Sequence, residues 1–228
     1  MVKIRDVYPK NASGGYERVF NNHEVGELMT RVQSTVIRNG VELENIIVDR
    51  VSDKGHCIDD LDAFIKSISR SCDEDNSYLC SKKIVCKSKF KQKNQPDFLI
   101  FDKKDGKIRC WVIELKDGDM FDTKKALGEK EHLQEFTKKF SKQLKRIPNC
   151  EVSYGVCCFN QNDKQYIKNG FKDIFDEDHI FTGRDLCKML GLDYDAIVSA
   201  RKKDAEDNLD YFVEQLLGID SVQDVIGR

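Results

Sequence analysis

Residues 96–116 constrain this chain more than any other stretch. They read Pro-Asp-Phe-Leu-Ile-Phe-Asp-Lys-Lys-Asp-Gly-Lys-Ile-Arg-Cys-Trp-Val-Ile-Glu-Leu-Lys. Two apolar runs flank an Asp-Gly pair, the strongest short hairpin signal a sequence offers. With Asp105 and Gly106 as a two-residue loop, Lys104 faces Lys107 and Asp97 falls directly opposite Glu114. Lys116 lies two residues beyond Glu114 and so emerges on the same face. Opposed carboxylates destabilise a ribbon unless their repulsion is offset. A divalent cation would offset it, and oxygen ligands completed by water suit Mg²⁺ or Mn²⁺. The backbone carbonyl of Leu115 is a further candidate ligand. Such a cation lowers the pKa of a bound water and polarises a phosphoryl oxygen. Phosphodiester hydrolysis needs both, because its transition state gathers negative charge on oxygen. A nearby lysine can orient or deprotonate the attacking water, or neutralise that charge.

The surrounding chain alternates between helical and strand periods. Residues 1–20, with Pro9, Gly14 and Gly15, read as an arm. Val25, Leu28, Met29, Val32 and Val36 predict a helix over 22–39, closed by Asn39-Gly40. Leu43, Ile46, Ile47 and Val51 mark a second helical stretch, and Leu61, Phe64, Ile65 and Ile68 a third over about 59–70. Asp73-Glu74-Asp75-Asn76-Ser77 is a polar loop. A strand over 83–90 with a lysine-bearing outer face precedes hairpin strands at 97–103 and 108–116. A long helix over 121–147 follows, stopped by Pro148-Asn149, and then a strand at 151–159. That order implies a parallel crossover. Residues 178–181 predict a short edge strand. Thr182 and Asp185 have the N-cap and N3 spacing of a helix start. Helices over about 193–204 and 207–217 end the chain. These elements predict an α/β (α+β) fold, a mixed sheet of about four to five strands flanked by helices. The chain reads as one domain, 1–228, with a core over about 22–160 and a C-terminal helical extension over about 161–228.

Composition narrows the function. The 228 residues are 39% hydrophobic and 34% charged, with no apolar run of the ~20 residues a membrane helix needs. The N-terminus has no apolar segment of a signal peptide. Nine cysteines, an odd number scattered among strands and helices, favour reduced thiols and a cytoplasmic setting. Absence of a C-x-x-C pair argues against zinc, and absence of a G-x-x-x-x-G-K-[ST] loop against ATP use. The net charge of −2 hides two lysine-rich segments. Lys87, Lys89, Lys91 and Lys93 precede Asp97, and Lys124 and Lys125 follow Lys116. They are candidate phosphate contacts for double-stranded DNA.

Pro96-Asp97 followed by Glu114-Leu115-Lys116 resembles the PD-(D/E)XK signature of restriction-endonuclease-like nucleases. The resemblance covers about the middle 140 residues, because the predicted helix, strands, crossover helix and strand follow the family's order. It implies that Asp97 and Glu114 hold Mg²⁺ and that Lys116 serves the nucleophilic water. Family members often add an acidic residue from the first helix. Glu27 is the best match, with Glu24 one turn away as an alternative. The size and the bare core imply a type II restriction enzyme, a homodimer on double-stranded DNA. The alternatives are a structure-specific or repair nuclease resembling a junction resolvase, and a non-catalytic DNA-binding module of the same fold.

Overall fold

A computed structural model of the chain describes residues 1–8, 15–68, 76–118 and 123–228. Pro9 and Gly14 of the predicted arm, 69–70 of the third helical stretch, 73–75 of the polar loop and 121–122 of the long helix lie outside the described residues. Contacts group the chain into two compact units, Met1–Leu43 with Asp195–Arg228, and Glu44–Tyr194.

The first unit is helical. It contains α1 (Tyr16–Phe20), the N-terminal part of α2 (His23–Ser52), most of α8 (Tyr194–Leu217) and α9 (Asp220–Ile226). The chain start is tied down by side chains: the Val2 N–H donates to Asn39 Oδ1 at 2.8 Å and the Ile4 N–H to Asn208 Oδ1 at 2.7 Å. The predicted stop at Asn39-Gly40 does not occur, and α2 runs through it. A C′ glycine must adopt positive φ, and Gly40 does not. The Asn39 side chain serves the Val2 N–H instead. The predicted break between 204 and 207 is also absent. Ala205 and Glu206 there are ordinary helix formers, and α8 is continuous.

The second unit carries a five-stranded sheet in the order β1-β2-β3-β4-β5. The strands are β1 (Asn76–Ser81), β2 (Phe98–Lys104), β3 (Lys107–Lys116), β4 (Cys150–Cys158) and β5 (Ile180–Thr182). The pairs β1–β2 and β2–β3 are antiparallel, and β3–β4 and β4–β5 parallel. The helices are α3 (Leu61–Ser67), α4 (Lys82–Val85), α5 (Thr123–Leu144), α6 (Lys164–Gly170) and α7 (Gly183–Met189). The order of helix, three antiparallel strands, crossover helix and parallel strand is the one the resemblance implies.

The hairpin has the predicted register. Lys104 pairs with Lys107 and Phe98 with Ile113. Asp105 and Gly106 have φ of 50° and 71°, the positive values that a tight two-residue hairpin turn requires. The first strand, however, is not at 83–90. Residues 76–81 form it, and Lys82–Val85 is a short helix. Val85 and Phe90 are buried while Cys86 and Lys87 are exposed, which no alternation of period two can satisfy. β1 escaped notice because Leu79 and Cys80 are both buried. A strand covered on both faces shows no alternation, and its Asn and Ser residues imitate a loop.

Leu99 and Phe101 on β2 and Cys110 and Val112 on β3 share one buried cluster with Phe136, Phe140 and Leu144 of α5. Phe140 meets Phe90 edge-on at 5.3 Å. By strand alternation Asp97, Glu114 and Lys116 lie on this same face. The sheet therefore delivers the charged trio to the end of the layer that α5 covers. Thr182 caps α7 in the predicted capping box with Asp185. No helix among the described residues is long and apolar enough to cross a membrane.

Candidate active site

Asp97 stands one residue before the first pair of the β2–β3 ladder, and continuing the register sets it against Glu114. It is only 4% exposed, so each of its oxygens needs a partner. Oδ2 accepts from the Leu115 N–H at 2.9 Å, and Oδ1 accepts from Lys82 Nζ at 3.1 Å. The first bond clamps the two strand ends together. The second comes from the first residue of α4, whose N–H also donates to the Asp97 carbonyl at 2.9 Å.

Glu114 and Lys116 form the second half of the site. Lys116 Nζ donates to Glu114 Oε1 at 2.7 Å and to Glu129 Oε1 at 2.9 Å. Burial, followed by repulsion from Asp97, pushes the Glu114 carboxyl up to about 7, against the pull of Lys116. Burial alone would discharge Lys116, but Glu114 and Glu129 outweigh it and raise its pKa above the ordinary lysine value. Lys116 is thus a fixed ammonium.

Two further carboxylates join the predicted trio. Glu129 comes from α5, whose path over the shared core places its first turns beside Lys116. Glu44 comes from α2, and its pKa is raised by burial and then by the charge of Asp97. The helix carboxylate acting on Asp97 is therefore Glu44. Glu27 lies about five turns earlier on α2, in the helical unit, where it lines a groove with Glu24, Leu28, Arg31, Glu214 and Ile219. Reading α2 as one helix would have made Glu44 a candidate. The glycine at 40 concealed it. Glu129 gave no signal, being one of several carboxylates on a charged helix.

A cleft of about 320 Å³ opens beside the carboxylates, lined by Lys82, Lys93, Asn94, Gln95, Pro96, Glu114, Glu129 and His132 among others. Of the predicted phosphate contacts, Lys93 lines this cleft. Lys87, Lys89, Lys91, Lys124 and Lys125 are exposed, and Lys89 pairs with Asp62 at 3.6 Å.

The donor set fits a hard cation. Asp97 and Glu114 offer oxygens, and burial and then their mutual repulsion raise the Glu114 pKa. Among the described residues no group of three or more His, Cys, Asp or Glu side chains is gathered as a ready-made cage.

Along nearly its whole length the chain is similar to a characterised class of protein. It is 42% identical over 224 residues, 96% of this chain and 95% of the relative, to a protein named type II restriction enzyme HhaII, from Haemophilus parahaemolyticus. The chain belongs to the type II restriction enzyme family. No family model matches it, and no solved structure matches it at a significant level. Membership in that family and the five-stranded mixed sheet flanked by helices agree with the type II restriction enzyme class and the fold class expected from the sequence.

Proposed function

We propose that the chain is a Mg²⁺-dependent type II restriction endonuclease of the PD-(D/E)XK kind, which hydrolyses phosphodiester bonds of double-stranded DNA at a specific site. The observation that carries this reading is the opposition of Asp97 and Glu114 at the hairpin end, with Lys116 held beside them. Asp97 and Glu114 would hold the cation, with the Leu115 carbonyl as a further oxygen donor. When bound, Mg²⁺ supplies a polarised phosphoryl oxygen and a water of lowered pKa.

The chain's own residues do the rest. Asp97 is fixed by the Leu115 N–H, so its free electron pairs keep one orientation. Glu129 and Glu114 hold Lys116 protonated, and as an ammonium it orients the attacking water or neutralises charge gathering on phosphate oxygens. Water adds to phosphorus, one P–O ester bond breaks, and the leaving oxygen takes up a proton. Lys93 and His132 at the cleft wall, with the exposed lysines at 87–91 and 124–125, are suited to the flanking phosphates. A homodimer would present two such sites to the two strands of a symmetric sequence.

The test is incubation with plasmid and phage DNA, with and without Mg²⁺, beside Asp97→Ala. Discrete fragments that need Mg²⁺ and vanish in the variant support the reading. Equal cleavage by the variant, or none of any DNA by the folded wild type, overturns it.

A further inference from the structure

Lys82 is a charged cleft residue that the nuclease chemistry above leaves without a task. Its ammonium sits on Asp97 Oδ1 at 3.1 Å, while the other Asp97 oxygen is taken by the Leu115 N–H. Both oxygens of the buried carboxylate are therefore engaged before any cation arrives. The two engagements differ in kind. The Leu115 N–H belongs to a central strand and cannot leave. Lys82 starts the short helix α4, and its side chain is 47% exposed at the cleft wall. Lys116, by contrast, is 16% exposed and held by two carboxylates. One ammonium is built in and the other is free to swing away.

We infer that Lys82 is a resident counter-cation on Asp97, which an incoming divalent cation must displace. The inference rests on the metal-site reading proposed above. A cation that binds only after expelling a bound charge binds more weakly by the free energy of the expelled contact. A hydrogen bond between charged groups at a buried carboxylate is strong enough to lower the affinity about tenfold. The same contact protects the folded protein without metal, since it keeps Asp97 from being a buried charge without a cationic partner.

The test measures binding without DNA and without turnover, by titrating the intact protein with Mn²⁺ and following free Mn²⁺ by electron paramagnetic resonance. Lys82→Met should bind Mn²⁺ about tenfold more tightly than wild type, and Lys82→Gln should also gain. Lys83→Met removes a neighbouring exposed charge that does not pair with Asp97, and should change affinity less than twofold. Equal or weaker binding by both Lys82 variants overturns the inference. So does a gain in Lys83→Met as large as in Lys82→Met, because the effect would then be unspecific charge. Asp97→Asn separates this result from the underlying reading. If it leaves Mn²⁺ binding intact, the metal site itself is wrong. If it abolishes binding while the Lys82 variants match wild type, only the inference about Lys82 falls. Near-ultraviolet circular dichroism checks that each variant is folded.

Discussion

Replacing Glu114 by Gln should stabilise the metal-free protein at alkaline pH while removing cleavage. The Glu114 carboxyl is pushed from 4.5 up to about 7, first by burial and then by Asp97. A raised carboxyl pKa means that the folded state holds this proton more tightly than the unfolded chain. Its contribution is fully present below about pH 4.5 and is lost as pH rises through 7. At about 1.4 kcal/mol for each pH unit separating the two values, the loss reaches roughly 3 kcal/mol by pH 8. The side chain is 15% exposed, so solvent screening removes little of it. Gln imitates the protonated form in size and loses nothing over that range. Urea unfolding in EDTA, followed by the fluorescence of Trp111 on the same strand, measures the difference. The advantage of Glu114→Gln should be near zero at pH 4 and grow to about 2–3 kcal/mol at pH 8. Added Mg²⁺ should reverse it, because only wild type gains the binding free energy. A difference independent of pH, or a variant less stable at pH 8, would refute the reasoning.

Other substitutions probe the neighbours. Lys116→Ala should lower kcat about a hundredfold or more, since it removes the fixed positive charge of the site; unchanged steady-state cleavage would count against its role. Glu129→Gln removes one of the carboxylates holding Lys116 and one of the charges raising the Glu114 pKa. The acid limb of its pH–rate profile should move to lower pH, and a profile that does not move would reduce Glu129 to a structural contact. Thr182→Ala loses the hydroxyl that caps α7 and should cost about 1 kcal/mol in urea unfolding. The capping carboxylate of Asp185 has a lowered pKa, burial being outweighed by bonds to Thr182 and the pull of Lys164. Its contribution is present above pH 3.8 and lost as pH falls, so the Thr182→Ala difference should shrink in acid.

What the sequence disclosed follows the range over which each signal acts. The hairpin register was legible because an Asp-Gly turn fixes pairing locally, and the register carried Asp97, Glu114 and Lys116 to one place. The capping box at Thr182 and the parallel return to β4 were legible for the same reason. Gly40 misled because helix-breaking is a propensity of about 1 kcal/mol, easily overridden once Asn39 is engaged by Val2. β1 misled because burial on both faces erases the alternation that announces a strand. Glu129 and Lys82 went unassigned for a different reason. Each reaches the site from an element remote in sequence, and each looks like any other charge on its helix. The strand residues that define the chemistry are local knowledge, while the charges that tune them are tertiary.

Those tuning charges lead to a last expectation. Asp97, Glu114, Glu129 and Glu44 are linked by repulsion, Asp97 with Glu44 and Glu114 and Glu114 with Glu129, and the ammonium groups of Lys82, Lys83 and Lys116 offset it in part. A divalent cation would offset the rest. Without that cation the cluster lowers its repulsion by holding protons, which is why burial and Asp97 raise both Glu114 and Glu44. Metal and proton then compete for the same oxygens, so Mg²⁺ binding must release protons. Glu114, half protonated near pH 7, should release about half a proton there, nearer one at pH 6 and almost none at pH 9. Titration calorimetry in buffers of different ionisation enthalpy gives the number directly as a slope. Glu114→Gln should flatten that slope. A wild-type enthalpy independent of buffer at pH 6 would mean that the carboxylates are already ionised, and that the lysines alone balance the cluster.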